Sequence, residues 1–315
     1  MLCELDGSGD GNRARAPVVQ DGVMMHWLAR PSPAVRSLAA ASLALVMLAA
    51  CGSETVDVSG TSPGTGIQYP TAGNQAVVRL STGGAFVPRG YDFVTPPQLV
   101  IEGDGTVFRP GAQIEIYPAP MLPPLTTAPL DPEGIQIVLE AAEAAGLLAP
   151  PPSYEPGAGA SQVADAPTTV VEIQANGQTF RHEAYALGFE PSGQESTAAR
   201  STLNEFVAQL QDLPGLVGDH LGQEEIYTPE RFGIVAQPAT PEELAPTPDQ
   251  IMPEVVPWPS AAPALASLTA CTEVPAEAMG DTLAKANGLT RFSQDGVSYT
   301  VFVRVLLPDE TCPAD

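Results

Sequence analysis

The chain has 315 residues, of which 44% are hydrophobic, so it is long enough to bury a sizeable core. It contains 34 prolines and 29 glycines, which indicate many turns and irregular connections. Its 37 acidic residues outnumber the 13 basic ones, which gives a formal net charge of −24. Such a surface repels nucleic acid and anionic lipid headgroups, because both are bound by clustered Lys and Arg. We therefore predict that nucleic acid is not a partner.

Residues 26–51 have the three parts of a secretory signal. Arg30 and Arg36 supply the positive charge, Ser37–Met47 form a short apolar stretch, and small residues follow. A permanent membrane span needs about 20 apolar residues, and this stretch is shorter. The pattern predicts export with removal of the segment.

The end of this segment resembles the lipobox of bacterial lipoproteins, which is Leu, a small residue, Ala or Gly, and then Cys. Leu48, Ala49, Ala50 and Cys51 fit it at every position. The resemblance implies lipid transfer to the Cys51 sulfur, cleavage before Cys51, and a mature protein anchored at the extracytoplasmic face of the cell membrane. An ordinary secretory signal with a chance cysteine is the alternative.

Met24 and Met25 directly precede the signal, so we expect translation to start there rather than at Met1. Residues 1–50 would then be the signal peptide, with 1–23 as a non-native leader. Asp6, Asp10 and Asn12 have the spacing of calcium ligands. Because they precede the export signal, we do not expect them in the mature protein.

The four cysteines divide according to this interpretation. Cys3 belongs to the leader and Cys51 carries the lipid, which leaves Cys271 and Cys312 as a pair. A disulfide is the usual state of such a pair in an exported protein. A metal or redox pair is the alternative, but CxxC spacing is absent. The disulfide would stabilise the fold by about 4 kcal/mol.

Residues 51–75 are rich in Gly, Ser, Thr and Pro and predict a lipidated, flexible tether. Residues 76–315 predict a single α+β domain whose first strand starts near Ala76. Three hairpins with Asp-Gly or Asn-Gly turns are predicted at 98–110, 169–187 and 289–307. Two-residue turns would pair Ile101 with Phe108, Ile173 with Phe180, Glu172 with Arg181, Val171 with His182, and Phe292 with Tyr299.

Three amphipathic helices alternate with the hairpins. The first has Asp131 as N-cap and stops at Gly146, the second runs from Glu195 to Pro214, and the third runs from Pro275 to Gly288. A Pro-rich connection at about 236–263 is either a long linker or an extended segment over the sheet. Within it, Trp258 either plugs a surface groove or contacts a partner.

These elements predict an α+β fold in which antiparallel hairpins alternate with about three helices packed on the sheet, closed by a C-terminal disulfide. The composition, the helices that end in Gly-Leu and the C-terminal VLLPDETCP resemble uncharacterised lipoproteins of high-GC Gram-positive bacteria. This resemblance carries no functional residues across.

Catalytic motifs are missing from the sequence. The mature chain has two histidines: His182, expected to be buried, and His220, which follows Asp219. There is no GxSxG, HExxH, GxxxxGK[ST] or CxxC pattern. We therefore expect no catalytic residues, no cofactor and no metal. The first hypothesis is a membrane-tethered, non-enzymatic module that binds an unknown protein or small molecule. The alternative is a secreted hydrolase that uses carboxylates or His220.

Overall fold

The computed structural model describes residues 66–156, 164–189 and 196–313. The predicted signal, Cys51 and residues 52–65 of the predicted tether lie outside these ranges. Residues 66–75 contradict the tether prediction, because they pack on the domain. The backbone of Ile67 exchanges two hydrogen bonds with the Gln136 side chain, at 3.0 and 2.8 Å, and Tyr69 is buried. Order therefore begins at least ten residues before Ala76.

Seven strands form the first sheet, in the spatial order β6-β5-β1-β2-β3-β4-β7, with all neighbours antiparallel. They are β1 (Ala76–Gly83), β2 (Leu99–Glu102), β3 (Thr106–Pro110), β4 (Leu125–Pro129), β5 (Thr168–Ala175), β6 (Gln178–Tyr185) and β7 (Glu225–Ile226). On β5 and β6, buried and more exposed side chains alternate, as expected for strands with one covered face.

Five strands form the second sheet, in the order β10-β8-β12-β11-β9. They are β8 (Arg231–Pro238), β9 (Val255–Pro257), β10 (Thr272–Pro275), β11 (Arg291–Gln294) and β12 (Val297–Leu306). The strand β9 pairs with β11 in parallel, and the other neighbours are antiparallel. The Pro-rich connection is thus partly an edge strand, which neither predicted alternative included.

Some of the helices cover one face of the first sheet, and the second sheet covers the other. The helices are α1 (Tyr91–Val94), α2 (Pro132–Ala144), α3 (Ala198–Gln211), α4 (Leu213–Val217), α5 (Ala276–Met279) and α6 (Thr282–Lys285). One apolar core joins α2, α3 and α4 to side chains such as Leu80 and Ile101. A second core joins Val100, Phe108 and Leu125 to the second sheet and to α5 and α6. The predicted α+β class and the Cys271–Cys312 disulfide are confirmed.

The register of two predicted hairpins is confirmed and that of the first is wrong. Ile173 pairs with Phe180 and Phe292 pairs with Tyr299, as expected from two-residue turns. In the first hairpin Val100, not Ile101, faces Phe108. The turn has three residues, 103–105, so the register shifts by one and the side chains of Ile101 and Phe108 enter opposite cores.

The first predicted helix is confirmed, and the other two are subdivided. The carboxylate of Asp131 caps α2 by accepting the N–H of Gly134 at 2.9 Å. The second helix begins at Ala198 with Thr197 as its cap. A new helix begins at Leu213, and Pro214 lies in its first turn instead of ending the old helix. The third breaks at Gly280, where φ is +50°. Within the described ranges, no helix is long and apolar enough to span a membrane.

Candidate functional site

An open groove of about 700 Å³ lies beside the face of β1, β5 and β6 that is turned away from α2, α3 and α4. Its other walls are Gly84, Asp92 of α1, residues 95–97 after α1, and Arg304 with the C-terminal segment after β12. We call it the tail groove, and its charged lining residues are Arg79, Asp92, Arg181, Glu183, Arg304, Asp309 and Glu310. The remaining lining includes the hydroxyls of Ser81, Thr82, Thr95, Thr168 and Thr311.

The groove concentrates basic residues that are rare elsewhere in the chain. Beyond residue 50 the sequence has nine Lys and Arg residues, and three of them line this groove. Each of these arginines faces carboxylates: Arg79 pairs with Asp309 and Glu310, Arg181 with Glu172 and Glu183, and Arg304 with Glu310. The surface therefore carries alternating charges, which suits a ligand with both charged and hydrogen-bonding groups.

The C-terminal segment 307–312, which we call the tail, joins the two sheets. Glu310 is 9% exposed, and its carboxylate accepts from Arg79 of β1 at 2.7 Å and from Arg304 of β12. It also accepts from the backbone N–H of Leu307 at 3.2 Å. The guanidinium of Arg231 donates to the carbonyls of Leu307 and Glu310, at 3.2 and 2.9 Å. One carboxylate thus links the tail to both sheets.

The disulfide fixes the end of the tail. Cys312 is bonded to Cys271, which lies just before β10 at the edge of the second sheet. Gly233 of β8 lies directly beneath the bond, because a Cβ at this position would stand 2.9 Å from the Cys271 sulfur. The N–H of Cys312 also donates to Glu273 at 3.3 Å. The Cys271–Cys312 disulfide thus holds the part of the groove wall that contains Thr311 and Pro313.

A buried carboxyl group stands behind the tail. Glu102 of β2 is 1% exposed, and burial raises its pKa to about 8, with the negative charges of Asp309 and Asp104 adding to the effect. The oxygens Oε1 of Glu102 and Oδ1 of Asp309 are both buried without a hydrogen-bond partner. Two acidic groups therefore approach each other where the tail meets the first sheet.

His182 is a buried structural residue, as expected from its hairpin position opposite Val171. Its Nε2 lies 2.8 Å from the carbonyl of Leu147 and therefore carries the proton. Its Nδ1 then accepts from the hydroxyl of Tyr154 at 2.7 Å. Burial lowers the pKa of His182, so the neutral ring is favoured. Both ring nitrogens are used for packing the β6 strand against the loop after α2.

The carboxylate that pairs with His220 is that of Asp131, whereas the sequence suggested the neighbouring residue Asp219. The Nδ1 of His220 lies 2.9 Å from Oδ2 of Asp131, and its carbonyl accepts the N–H of Asp131 at 3.1 Å. This hydrogen bond raises the pKa of His220, while the N–H of Gly134 and His220 lower the pKa of Asp131. The hydrogen bonds of this ring within the described residues include none to a Ser, Thr or Cys, so none of them activates a nucleophile. The contacts between His220 and Asp131 instead hold the start of α2 against the 218–220 turn.

Trp258 lies in the second core and is 6% exposed. Its indole N–H donates to the carbonyl of Pro263 at 2.8 Å, and its ring meets Phe292 edge-on at 5.2 Å. This buried environment agrees with the alternative in which Trp258 fills a groove of its own domain. A partner contact through Trp258 stays a prediction, and it would require the 258–263 segment to move.

The sequence pointed to the cysteines but not to the groove. Arg79 and Glu310 are separated by 231 positions, so no spacing rule connects them. The available signal was the scarcity of basic residues, which makes each arginine on a strand noteworthy. Arg181 was predicted only as the solvent-facing partner of Glu172, a pair that is present at 2.6 Å.

Neither a metal site among the described residues nor a known relative indicates the function of this protein. In residues 66–156, 164–189 and 196–313, no group of three or more His, Cys, Asp or Glu side chains is arranged to hold a metal ion. Comparisons with protein-family models, with curated proteins and with solved structures gave no significant match for this chain.

Proposed function

We propose that this protein is a lipid-anchored, extracytoplasmic binding module without an enzymatic role, and that the tail groove is its binding site. The observation that carries the proposal is the groove itself, where three of the nine basic residues beyond residue 50 meet four carboxylates and several hydroxyls. Anchoring through Cys51 would place this groove at the outer face of the cell membrane.

The chemistry of the groove favours a polypeptide segment as the ligand. Arginines and carboxylates on its walls can exchange partners with the charged side chains of a peptide, and the hydroxyls can bind its backbone. The residues that line the groove include no aromatic ring on which a sugar or base could stack. The hydrolase alternative stays a prediction, but the clamp that His220 forms with Asp131 supports a structural role for this histidine.

Two experiments test the two parts of this proposal. The anchoring test is the Cys51→Ala variant, which should leave the membrane fraction, whereas continued retention would contradict a lipid anchor. The binding test places a photoreactive amino acid at Thr311, which is exposed and lines the groove. The matched control places it at Glu277, a residue outside the groove.

Irradiation of living cells should give a discrete heterologous adduct from position 311 and none from position 277. The added variant Thr168→Arg, which puts a large side chain into the groove, should reduce the yield of this adduct. Equal adducts from both positions, or none from position 311, would contradict the proposed site.

A further inference from the structure

The strand β6 is one edge of the first sheet, and it has eight residues. In the part of the chain that the structure describes, β6 pairs with β5 on one side only. Long strands with an open edge readily pair with another strand, and proteins often protect such edges by helices or bulges. The pairing of β6 with β5 extends over all eight residues of β6 without a register shift.

The backbone groups that point away from β5 follow from the hairpin turn. Asn176 and Gly177 form a two-residue turn with positive φ, so Ala175 and Gln178 are the first hydrogen-bonded pair. Hydrogen-bonded pairs then alternate with non-bonded ones, and the N–H and C=O groups of Thr179, Arg181 and Glu183 point outward. The same alternation places the Tyr185 carbonyl outward, where Arg200 donates to it at 3.0 Å.

The charges on this edge are complementary to themselves. On the exposed face of β6, Arg181 and Glu183 occupy successive outward positions, and Glu172 of β5 lies beside Arg181. If a second copy pairs antiparallel through the same edge, a two-fold axis at His182 brings Arg181 opposite Glu183 of the other copy, and the reverse. Each Arg181 side chain then lies between Glu172 of its own copy and Glu183 of the second copy.

Neighbouring registers are excluded by like charges. A shift of the axis by one residue in either direction places Arg181 opposite itself or Glu183 opposite itself, and like charges directly opposite are destabilising. The register centred on His182 is the one that gives two opposite-charge pairs. In this register the outward N–H and C=O groups of Arg181 and Glu183 on each copy can also form hydrogen bonds with the other copy.

We infer that β6 is a self-association surface: two copies of this chain pair antiparallel through their β6 edges, with Arg181 of each facing Glu183 of the other. The paired sheets form a continuous sheet of fourteen strands across the two-fold axis, because each copy contributes seven. Arg181 and Glu183 also line the tail groove, so the joint borders the groove of each copy.

The test uses the full chain in two copies with different epitope tags, co-expressed and extracted with a mild detergent. One tag is captured and the recovered amount of the other is measured. Two wild-type copies should co-purify. Two Arg181→Glu copies, or two Glu183→Arg copies, replace both opposite-charge pairs by like-charge pairs and should lower recovery about tenfold or more.

The decisive combination is one Arg181→Glu copy with one Glu183→Arg copy. The first copy then carries two negative side chains at positions 181 and 183, and the second carries two positive ones. Both contacts across the joint again join opposite charges, so recovery should return toward the wild-type level.

Recovery in the mixed pair shows that both variants fold, and a charge reversal at the exposed Asp281 serves as a matched control. The inference is overturned if wild-type copies do not co-purify, or if the mixed pair recovers no better than the two single-variant pairs.

Discussion

Glu102 of β2 and Asp309 of the tail bring two carboxyl groups together in the space between the sheets. Each has one buried oxygen without a hydrogen-bond partner, Oε1 of Glu102 and Oδ1 of Asp309. Arg79 and Arg304 face three acidic groups here, namely Glu102, Asp309 and Glu310. A proton on Glu102 balances these charges and avoids a buried, unpaired carboxylate at this position.

This proton makes the stability of the protein depend on pH. The pKa of Glu102 is raised from its ordinary value of 4.5 to about 8 in the folded protein. Between these values the folded state binds more protons than the unfolded chain, so the free energy of unfolding falls as pH rises, by at most about 1.4 kcal/mol per pH unit. The stabilisation is complete below pH 4.5 and lost above about pH 8.

The Glu102→Gln variant should remove this pH dependence, because its amide is neutral at every pH. We expect it to be more stable than the wild type above about pH 8, with a flatter profile between about pH 5 and 8. Urea unfolding across this pH range measures both, and Glu277→Gln on α5 controls for the loss of a carboxylate. Parallel wild-type and Glu102→Gln profiles would show that Glu102 is ionised in the folded state.

A second buried group acts at the acid side. Burial lowers the pKa of His182 below its ordinary value of 6.5, so the unfolded chain takes up this proton first as pH falls. The contribution of His182 to stability is therefore complete above pH 6.5 and declines below it. Its test is the pH profile of a His182→Gln variant, which should lose less stability than the wild type between about pH 6.5 and 5.

The hydroxyl of Tyr154 satisfies the unprotonated nitrogen of His182. Tyr154→Phe leaves that nitrogen buried without a donor, and we expect a loss of about 1–3 kcal/mol in the free energy of unfolding. Tyr117→Phe is the matched control, because the Tyr117 side chain is exposed. An equal effect of the two substitutions would mean that the Tyr154–His182 hydrogen bond contributes nothing.

The disulfide should be a major source of stability. Cys271 and Cys312 are 41 positions apart, and replacing both with Ser should lower the free energy of unfolding by about 4 kcal/mol. Chemical unfolding with and without reductant measures this effect. Reductant should destabilise the wild type and leave the double variant unchanged, whereas an unchanged wild type would show that the bond is absent.

Glu310 should be the most sensitive single carboxylate of the tail. Glu310→Ala leaves Arg79 and Arg304 without this partner in a buried setting, and we expect a loss of about 3 kcal/mol. Asp281→Ala breaks the exposed pair with Lys285 and should cost less than about 1 kcal/mol. Thermal unfolding of the two variants compares them, and similar shifts would show that Glu310 does not hold the tail.

Local chemistry determined much of the secondary structure. Asp131 and Pro132 predict the start of α2, and Asn176-Gly177 and Asp295-Gly296 predict turns whose register is correct, because positive φ at both turn residues admits one pairing. Met279, Leu283 and Ala286 stand at helical spacing in the third predicted helix and are buried, although that helix is broken at Gly280. These features depend on neighbours within a few residues.

The register of the first hairpin depended on a distant contact. A Cβ on Gly103 would stand 2.1 Å from the carbonyl oxygen of Pro70, so this glycine lies against the N-terminal segment and belongs to the turn. Asp104-Gly105 alone suggested a two-residue turn. Predicting the three-residue turn would have required the position of Pro70, and the sequence of residues 98–110 does not contain it.

The sequence by itself thus determined the α+β class, the cysteine pair, most element positions and a prediction of where the protein resides. Only the tertiary structure decided which charged groups meet. Arg79 meets Glu310 and Asp131 meets His220 across 231 and 89 positions, because the order of strands in the two sheets brings them together. Periodicity reports which face of an element is buried, but the partner on that face is set by how the sheets and helices pack.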